Sequence, residues 1–112
     1  MTIPESVAEF ELFVMLAALR LGPDDAYTVS IVDDIERRTG RRVRRANVYT
    51  TLERLEAKGF ITTHLSDPRP ERGGKRRRLV SVQPPGLAAV RATAGAIRSM
   101  MGDLDKLIGE HR

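Results

Sequence analysis

The sequence predicts a mainly α-helical protein with one small β-hairpin: a winged helix-turn-helix followed by a long C-terminal dimerisation helix. Three observations predict this fold. Residues 46–58 have an amphipathic helical pattern, two short β-type runs flank a basic turn-rich stretch, and residues 87–108 carry an unbroken heptad pattern. We expect residues 1–83 to form the winged domain and residues 84–112 the dimerisation helix, within one compact unit.

The composition is that of a folded, soluble single domain. The chain has 112 residues, enough to bury a modest core, and 30% of them are charged. It contains no cysteine, which excludes disulfides and thiolate metal sites. No apolar run approaches membrane-spanning length, and the N-terminus lacks the pattern of a secretion signal. These features predict a cytoplasmic protein.

The basic charge is concentrated in the middle of the chain. Residues 1–36 contain one Lys or Arg and eight Asp or Glu, for a net charge of −7. Residues 37–78 contain fourteen and four, for a net charge of +10. A basic block of this kind indicates an anionic partner. Nucleic acid is the commonest such partner, and an anionic membrane surface is its main rival.

The first helix is predicted near residues 4 to 21. Residues 12–19 are almost all apolar, so this helix needs cover on more than one side, from the domain's own core and from another helix or subunit. Pro4 suits a first helical turn. Two residue pairs have the spacing of a capping box: Thr2 with Glu5, and Ser6 with Glu9.

A second helix is predicted from Thr28, a suitable N-cap, to about Thr39, with Gly40 as its stop. Arginines crowd the short link that follows it, and their planar guanidinium groups suit phosphate oxygens. A helix, a short link and another helix are typical of a helix-turn-helix, whose second helix contacts the major groove. The candidate phosphate contacts in the link are Arg41, Arg42, Arg44 and Arg45.

The third helix, at residues 46–58, presents a polar flank without carboxylates. Val48, Leu52 and Leu55 recur at helical spacing and should face inward, and Gly59 should cap the C-terminal end. A rotation of about 100° per residue leaves Glu53 and Glu56 away from the flank. We predict that this flank contacts bases, although an ordinary solvated amphipathic helix has the same pattern. The candidate base contacts are Asn47, Thr50, Thr51 and Arg54, with Lys58 as a phosphate contact.

Residues 60–66 and 79–83 have the composition of two short strands, which predicts a hairpin. The stretch between them is rich in turn-forming and basic residues. We expect it to form a wing against the sugar-phosphate backbone or in the minor groove; a mobile solvated loop is the alternative. The wing candidates are Arg69, Arg72, Gly73, Gly74, Lys75, Arg76 and Arg77.

The last quarter predicts one helix from residue 84 to about residue 109, roughly 35 Å long. Its apolar residues follow an a/d heptad pattern. Because this helix is longer than a small winged domain needs, we expect the pattern to form a dimer contact. Gly95 and Gly102 lie beside it and would admit a close partner helix, or would merely weaken the helix. The residues of this C-terminal stripe are Leu87, Val90, Ala94, Ile97, Met101, Leu104 and Ile108.

With these elements in place, the chain resembles the PadR-like family of winged-helix transcriptional regulators, in its short subgroup with a single C-terminal helix. The resemblance covers nearly the whole chain. It is carried by Ala26-Tyr27, by Asn47-Val48-Tyr49 with Leu52, Leu55-Glu56 and Gly59, by residues 72–77, and by the strand before Gly86. It implies a homodimer that binds a pseudo-palindromic operator, usually as a repressor. It also implies that Tyr49 lies near the DNA backbone and that Arg72 and Lys75 belong to the wing.

No catalytic or metal site is predicted. His64 and His111 are the only histidines, and neither has a neighbouring ligand set. We therefore expect no enzyme activity and no cofactor. The leading hypothesis is a homodimeric regulator that binds double-stranded DNA and no membrane. The alternatives are a module that binds an acidic protein and an RNA-binding winged helix. An effector is left open; one would fit between the last helix and the partner's first helix.

Overall fold

The computed structural model describes residues 6–67 and 76–110 of the chain. They form a mainly helical fold with a two-stranded antiparallel hairpin, which confirms the predicted fold class. The elements are α1 (Glu9–Leu21), α2 (Thr28–Thr39), α3 (Arg45–Ala57), β1 (Ile61–Leu65), β2 (Arg78–Val82), α4 (Pro84–Met100) and α5 (Leu104–Gly109).

The first helix begins later than the sequence predicted. Residues 6–8 are not helical, and α1 starts at Glu9. The backbone N–H of Ala8 donates to Oε1 of Glu11 at 3.0 Å, so the carboxylate that caps this end is Glu11 and not Glu9. Pro4 and the Thr2–Glu5 pair lie outside the described residues.

The bounds of α2, and the glycines that end α2 and α3, lie close to the predicted positions. Thr28 is the first helical residue of α2 instead of its cap, and Ser30 Oγ accepts a hydrogen bond from the N–H of Tyr27 at 3.0 Å. Gly40 and Gly59 have φ angles of 72° and 78°. That left-handed conformation favours glycine, which explains why each helix ends there.

The hairpin pairs Ile61 with Val82 and Leu65 with Arg78. The N–H of Val80 donates to the carbonyl of Ala26 at 2.8 Å, so the outer edge of β2 is covered by the segment before α2. The hairpin is thereby fixed to the helix-turn-helix. Of the predicted wing, only Arg76 and Arg77 are described; Arg69, Arg72, Gly73, Gly74 and Lys75 lie outside the described residues.

One core joins the three helices to the hairpin and to α4. The largest fully buried side chains come from α1, α2, α3 and both strands. Helix α1 packs against α2, α3, β2 and α4, so most of the cover that its apolar faces need comes from the chain itself. Gly86 makes the turn into α4 possible, because a Cβ there would overlap the carbonyl oxygen of Phe60.

The prediction of one unbroken C-terminal helix is wrong. Helix α4 ends at Met100, a turn spans residues 101–103, and α5 is a separate short helix. Gly102 is a weak helix former, and Asp103 has a left-handed φ of 61°. Residues 96–110 are all exposed, so no packing within this chain opposes the break. At 17 residues, α4 is about 26 Å long instead of 35 Å.

None of the helices in the two described segments is long and apolar enough to cross a membrane.

Candidate nucleic-acid interface

The exposed flank of α3 carries three of the four predicted base contacts. Asn47, Thr50 and Arg54 are exposed, as expected. Thr51 is only 4% exposed, which corrects its predicted position on the exposed flank. It lies three residues after Val48 and four before Leu55, both fully buried, so the helical repeat places it on the inward face.

A shallow depression of about 250 Å³ joins this flank to α1. Asn47, Thr50, Thr51 and Arg54 line it together with Phe10 from α1. The sequence alone did not predict the contribution of Phe10, because nothing in its local pattern relates α1 to α3. An aromatic wall beside amide, hydroxyl and guanidinium groups offers both stacking and hydrogen-bonding surface to a base.

The link between α2 and α3 is held by backbone contacts that leave its arginines exposed. The N–H of Val43 donates to Glu36 Oε2 at 2.8 Å, and the N–H of Arg41 donates to Thr39 Oγ1 at 3.1 Å. An open depression of about 700 Å³ lies along the link, bounded by Glu36, Gly40 and residues 41–44. Within the described residues, Arg42, Arg44 and Arg45 form no ion pair.

Three arginines at the end of α2 and the start of the link, together with Arg20 of α1, have carboxylate partners. Asp34 is 2% exposed and accepts from Arg20 Nη1 at 2.7 Å and Arg38 Nε at 3.2 Å, with Arg37 Nη2 at 3.6 Å. Arg41 Nη1 lies 2.7 Å from Oε1 of Glu9. Residue type alone does not distinguish these arginines from Arg42, Arg44 and Arg45, whereas the fold divides them into a paired and an open group.

The Arg41–Glu9 pair is exposed on both sides. The hydrogen bond from Arg41 and its positive charge lower the pKa of Glu9, and the same contacts raise the pKa of Arg41. The Arg41 guanidinium also lies 5.3 Å from the centroid of the Phe13 ring. Arg41 thus has partners within the chain that a DNA phosphate would have to compete with.

A buried carboxylate lies beneath the other end of the flank. Oε2 of Glu11 is 3.2 Å from Nζ of Lys58 and 3.9 Å from Nη1 of Arg54. Burial raises the pKa of the Glu11 carboxyl. The hydrogen bonds from Ala8 and Lys58, with the charges of Lys58 and Arg54, outweigh that effect and leave the pKa below its ordinary value of 4.5. No local sequence pattern indicates this contact between α1 and α3.

At the root of the hairpin, the basic residues differ in their surroundings. Arg76 and Arg78 are exposed. The Arg77 guanidinium stacks on Tyr27, 4.4 Å from the ring centroid, and its Nε is buried without a hydrogen-bond partner. Arg77 therefore packs the hairpin against the residue that precedes α2 instead of projecting as part of an open wing.

Tyr49 lies on the side of α3 that faces the hairpin, and it is 48% exposed. It borders a cleft of about 270 Å³. Glu53 and Glu56 also line this cleft, which agrees with their predicted position away from the base-contact flank. Thr63 Oγ1 donates to Glu56 Oε2 at 2.8 Å and so ties α3 to β1.

The C-terminal stripe divides into two halves. Val90 belongs to the chain's own core and is 7% exposed, and Leu87 and Ala94 are half-buried. Like Met100 and Leu107, the other members of the stripe are exposed: Ile97, Met101, Leu104 and Ile108. Several exposed large apolar side chains within one short segment are typical of a surface that another protein covers.

No group of three or more His, Cys, Asp or Glu within residues 6–67 and 76–110 could hold a metal ion.

The sequence model of the PadR-like transcriptional regulators matches residues 15–91, from within α1 into α4. The chain belongs to the PadR-like family. The matched segment contains the link, α3 and the hairpin, while the contributing residues at the start of α1, Glu9, Phe10 and Glu11, lie before it. Membership makes the protein a transcriptional regulator, a role that implies DNA binding.

Solved structures share the fold at low sequence identity. A PadR-family transcriptional regulator from Eggerthella lenta is 20% identical, with a TM-score of 0.65 over 89% of this chain and 86% of the other. A proposed transcriptional regulator from Thermoplasma acidophilum is 14% identical, with a TM-score of 0.69 over 88% and 91%. A PadR-like regulator from Bacillus cereus is 13% identical, with a TM-score of 0.61 over 90% and 88%. No curated protein sequence matches the chain significantly.

Proposed function

We propose that this regulator binds a pseudo-palindromic operator as a homodimer and represses transcription. Residues 1–83 would contact DNA, and residues 84–112 would join the two copies. In this arrangement α3 enters the major groove and the link contacts phosphates on either side of it. Asn47, Thr50 and Arg54 would contact bases, while Arg42, Arg44 and Arg45 would contact phosphates.

The observation that carries the proposal is the pairing of a carboxylate-free exposed flank with three open arginines. Phosphate contacts fix the orientation of a protein on the duplex, and side chains with paired donors or acceptors distinguish base edges. The amide of Asn47 suits adenine, and the guanidinium of Arg54 suits guanine. Arg41 would join the phosphate contacts once DNA competes with Glu9. Lys58 would face a phosphate while it is held by Glu11, and Tyr49 would meet the backbone on the hairpin side.

The exposed half of the C-terminal stripe supports the homodimer. Two copies related by a twofold axis would cover the same apolar side chains with each other, as an isologous interface requires. The two copies of α3 would then address half-sites one helical turn apart, about 10 base pairs from centre to centre. The break at residues 101–103 allows α5 to turn relative to α4 in the assembled dimer.

The test is a binding titration with duplex DNA from upstream of the chain's own gene, since repressors of this kind often regulate themselves. If about six to ten phosphates are contacted, affinity should fall by a factor of about 10³ to 10⁵ between 50 and 200 mM salt. Footprinting should show two protected half-sites about 10 base pairs apart. A reporter gene placed downstream of the same DNA should be transcribed less when the protein is expressed.

The alternatives give different results in the same experiments. Preference for structured RNA over duplex DNA would indicate an RNA-binding winged helix. A flat salt response without a footprint, together with a heteromeric complex, would indicate an acidic protein partner. Activation of the reporter would contradict only the repressor role and would leave the proposed DNA binding unaffected.

A further inference from the structure

We infer that Glu11 is a positioning residue for base recognition, which holds Arg54 and Lys58 on the DNA-facing flank of α3. The inference rests on the proposed function and names a residue outside the helix-turn-helix that contributes to its specificity. Glu11 itself would not touch DNA.

A single buried carboxylate joins three points of the fold. Oε1 of Glu11 accepts the N–H of Ala8 at 3.0 Å, and Oε2 lies 3.2 Å from Lys58 Nζ and 3.9 Å from Arg54 Nη1. The Glu11 side chain is 6% exposed. A carboxylate removed from water is stable as a charge only where cations and donors surround it, so these contacts hold each other in place. The start of α1 thereby fixes the last two turns of α3.

Arg54 remains able to contact a base while it is held. Nη1 is the guanidinium nitrogen that pairs with Glu11, and the side chain is 54% exposed. A guanidinium has five donors, and a bidentate contact to guanine uses two of them. An arginine that is already oriented loses less rotational freedom on binding than a free one. Glu11 would therefore favour the DNA contact of Arg54 by restricting where its guanidinium points.

Glu9 is a natural control for Glu11. It lies two residues earlier on the same helix, carries the same charge and also pairs with an arginine, Arg41. Its side chain is 63% exposed, and its partner belongs to the link and not to the base-contact flank. Both carboxylates weaken the attraction to phosphates, so removal of either charge should raise affinity for all duplexes alike. Only Glu11 lies beneath the flank of Arg54.

The experiment begins with a duplex that the wild-type protein selects from a random pool. Fluorescence anisotropy then gives the Kd for this duplex and for an unrelated one, at one salt concentration, for wild type, Glu11→Gln and Glu9→Gln. Glutamine keeps an oxygen that can accept the Ala8 N–H, so the start of α1 is retained. We expect the ratio of the two Kd values to fall about tenfold in Glu11→Gln, within the range of one lost bidentate contact, and to stay constant in Glu9→Gln.

A double variant separates positioning from general damage. Arg54→Ala should also lower the ratio, and Glu11→Gln should lower it no further in the Arg54→Ala background, because the residue that Glu11 positions is gone. The inference would be overturned if Glu11→Gln lowered the Kd ratio in the Arg54→Ala background by the same factor as in wild type. It would also be overturned if the Kd ratio of Glu11→Gln alone equalled that of wild type.

Circular dichroism checks that Glu11→Gln is folded. If it is not, Glu11→Asp serves instead, because it keeps the charge but withdraws the carboxylate by one methylene from Arg54. The ratio should fall in this variant too, and full discrimination in Glu11→Asp would contradict the inference. If the wild-type protein selects no sequence, the proposed function fails and this inference with it; if selection succeeds and Glu11→Gln matches wild type, only the inference fails.

Discussion

Helix α3 and the C-terminal segment have similar apolar patterns, yet the fold treats them in opposite ways. Val48 and Leu55 of α3 are fully buried within the chain, whereas Met101 and Leu104 beyond α4 are 48% and 39% exposed. The helical repeat fixes which side chains share a face, and the surrounding chain decides what covers that face. A stripe covered by its own chain stabilises the fold, and a stripe left uncovered is available to a second copy.

The largest expected effect comes from truncating one leucine in each of the two apolar stripes and comparing the losses in the free energy of unfolding. Leu55→Ala should lower the free energy of unfolding by about 2–5 kcal/mol, because it leaves a cavity at a fully buried position. Leu107→Ala, at a 45% exposed position, should change it by no more than about 0.5 kcal/mol. Urea unfolding at a concentration where the chain is monomeric measures both. Similar losses would mean that the C-terminal segment packs on its own chain.

The second prediction tests whether a second copy of the chain covers the exposed part of the C-terminal stripe. A double substitution, Met101→Glu with Leu104→Glu, should weaken the homodimer at least about 100-fold, or about 2.8 kcal/mol, because it would bury charges in an apolar contact. Ser99→Glu adds a charge on the opposite side of α4 and should leave the dimer intact. Sedimentation equilibrium measures the dissociation constants. A dimer that survives the double substitution would place the interface elsewhere.

Two glycines, one in each region, should respond with opposite sign. Gly59→Ala should cost about 1–2 kcal/mol, because φ is 78° there and an L side chain is strained. Gly95→Ala should raise the free energy of unfolding by up to about 1 kcal/mol, because α4 is regular there and the new Cβ meets nothing within 4 Å. Urea unfolding of the monomer would measure both changes in the free energy of unfolding. Gly95→Leu should weaken the dimer if a partner helix approaches closely; an unchanged dissociation constant would exclude that approach.

The smallest effect concerns pH. The folded pKa of Glu11 lies below its ordinary value of 4.5, so its charged form stabilises the native state above pH 4.5 and this contribution is lost as the pH falls further. Glu11→Gln should therefore unfold at a lower temperature than wild type at pH 7, and the two unfolding temperatures should converge as the pH falls below 4.5. Thermal scans from pH 7 to pH 3 measure this. A constant difference across the range would assign the loss to packing instead of charge.

Local patterns sufficed to predict most of the elements. The helix bounds of α2 and α3 and the two strands lie within one or two residues of the prediction, because capping glycines, apolar spacing and β-branched runs act over a few residues. The errors have physical causes. Thr51 is polar yet buried, since its neighbours on the helical repeat are Val48 and Leu55. The C-terminal helix is broken, since a heptad pattern indicates a shared face but does not hold Gly102 and Asp103 in helical conformation.

The sequence by itself determined the family, the fold class and the side of α3 that carries amide, hydroxyl and guanidinium groups, because these follow from residue type and spacing along the chain. Only the tertiary structure decided which cations have partners. Asp34 holds Arg20 and Arg38, Glu9 holds Arg41, and Glu11 reaches from α1 to Lys58 and Arg54. Most of these ion pairs join residues distant in sequence, so they exist only once the helices have packed.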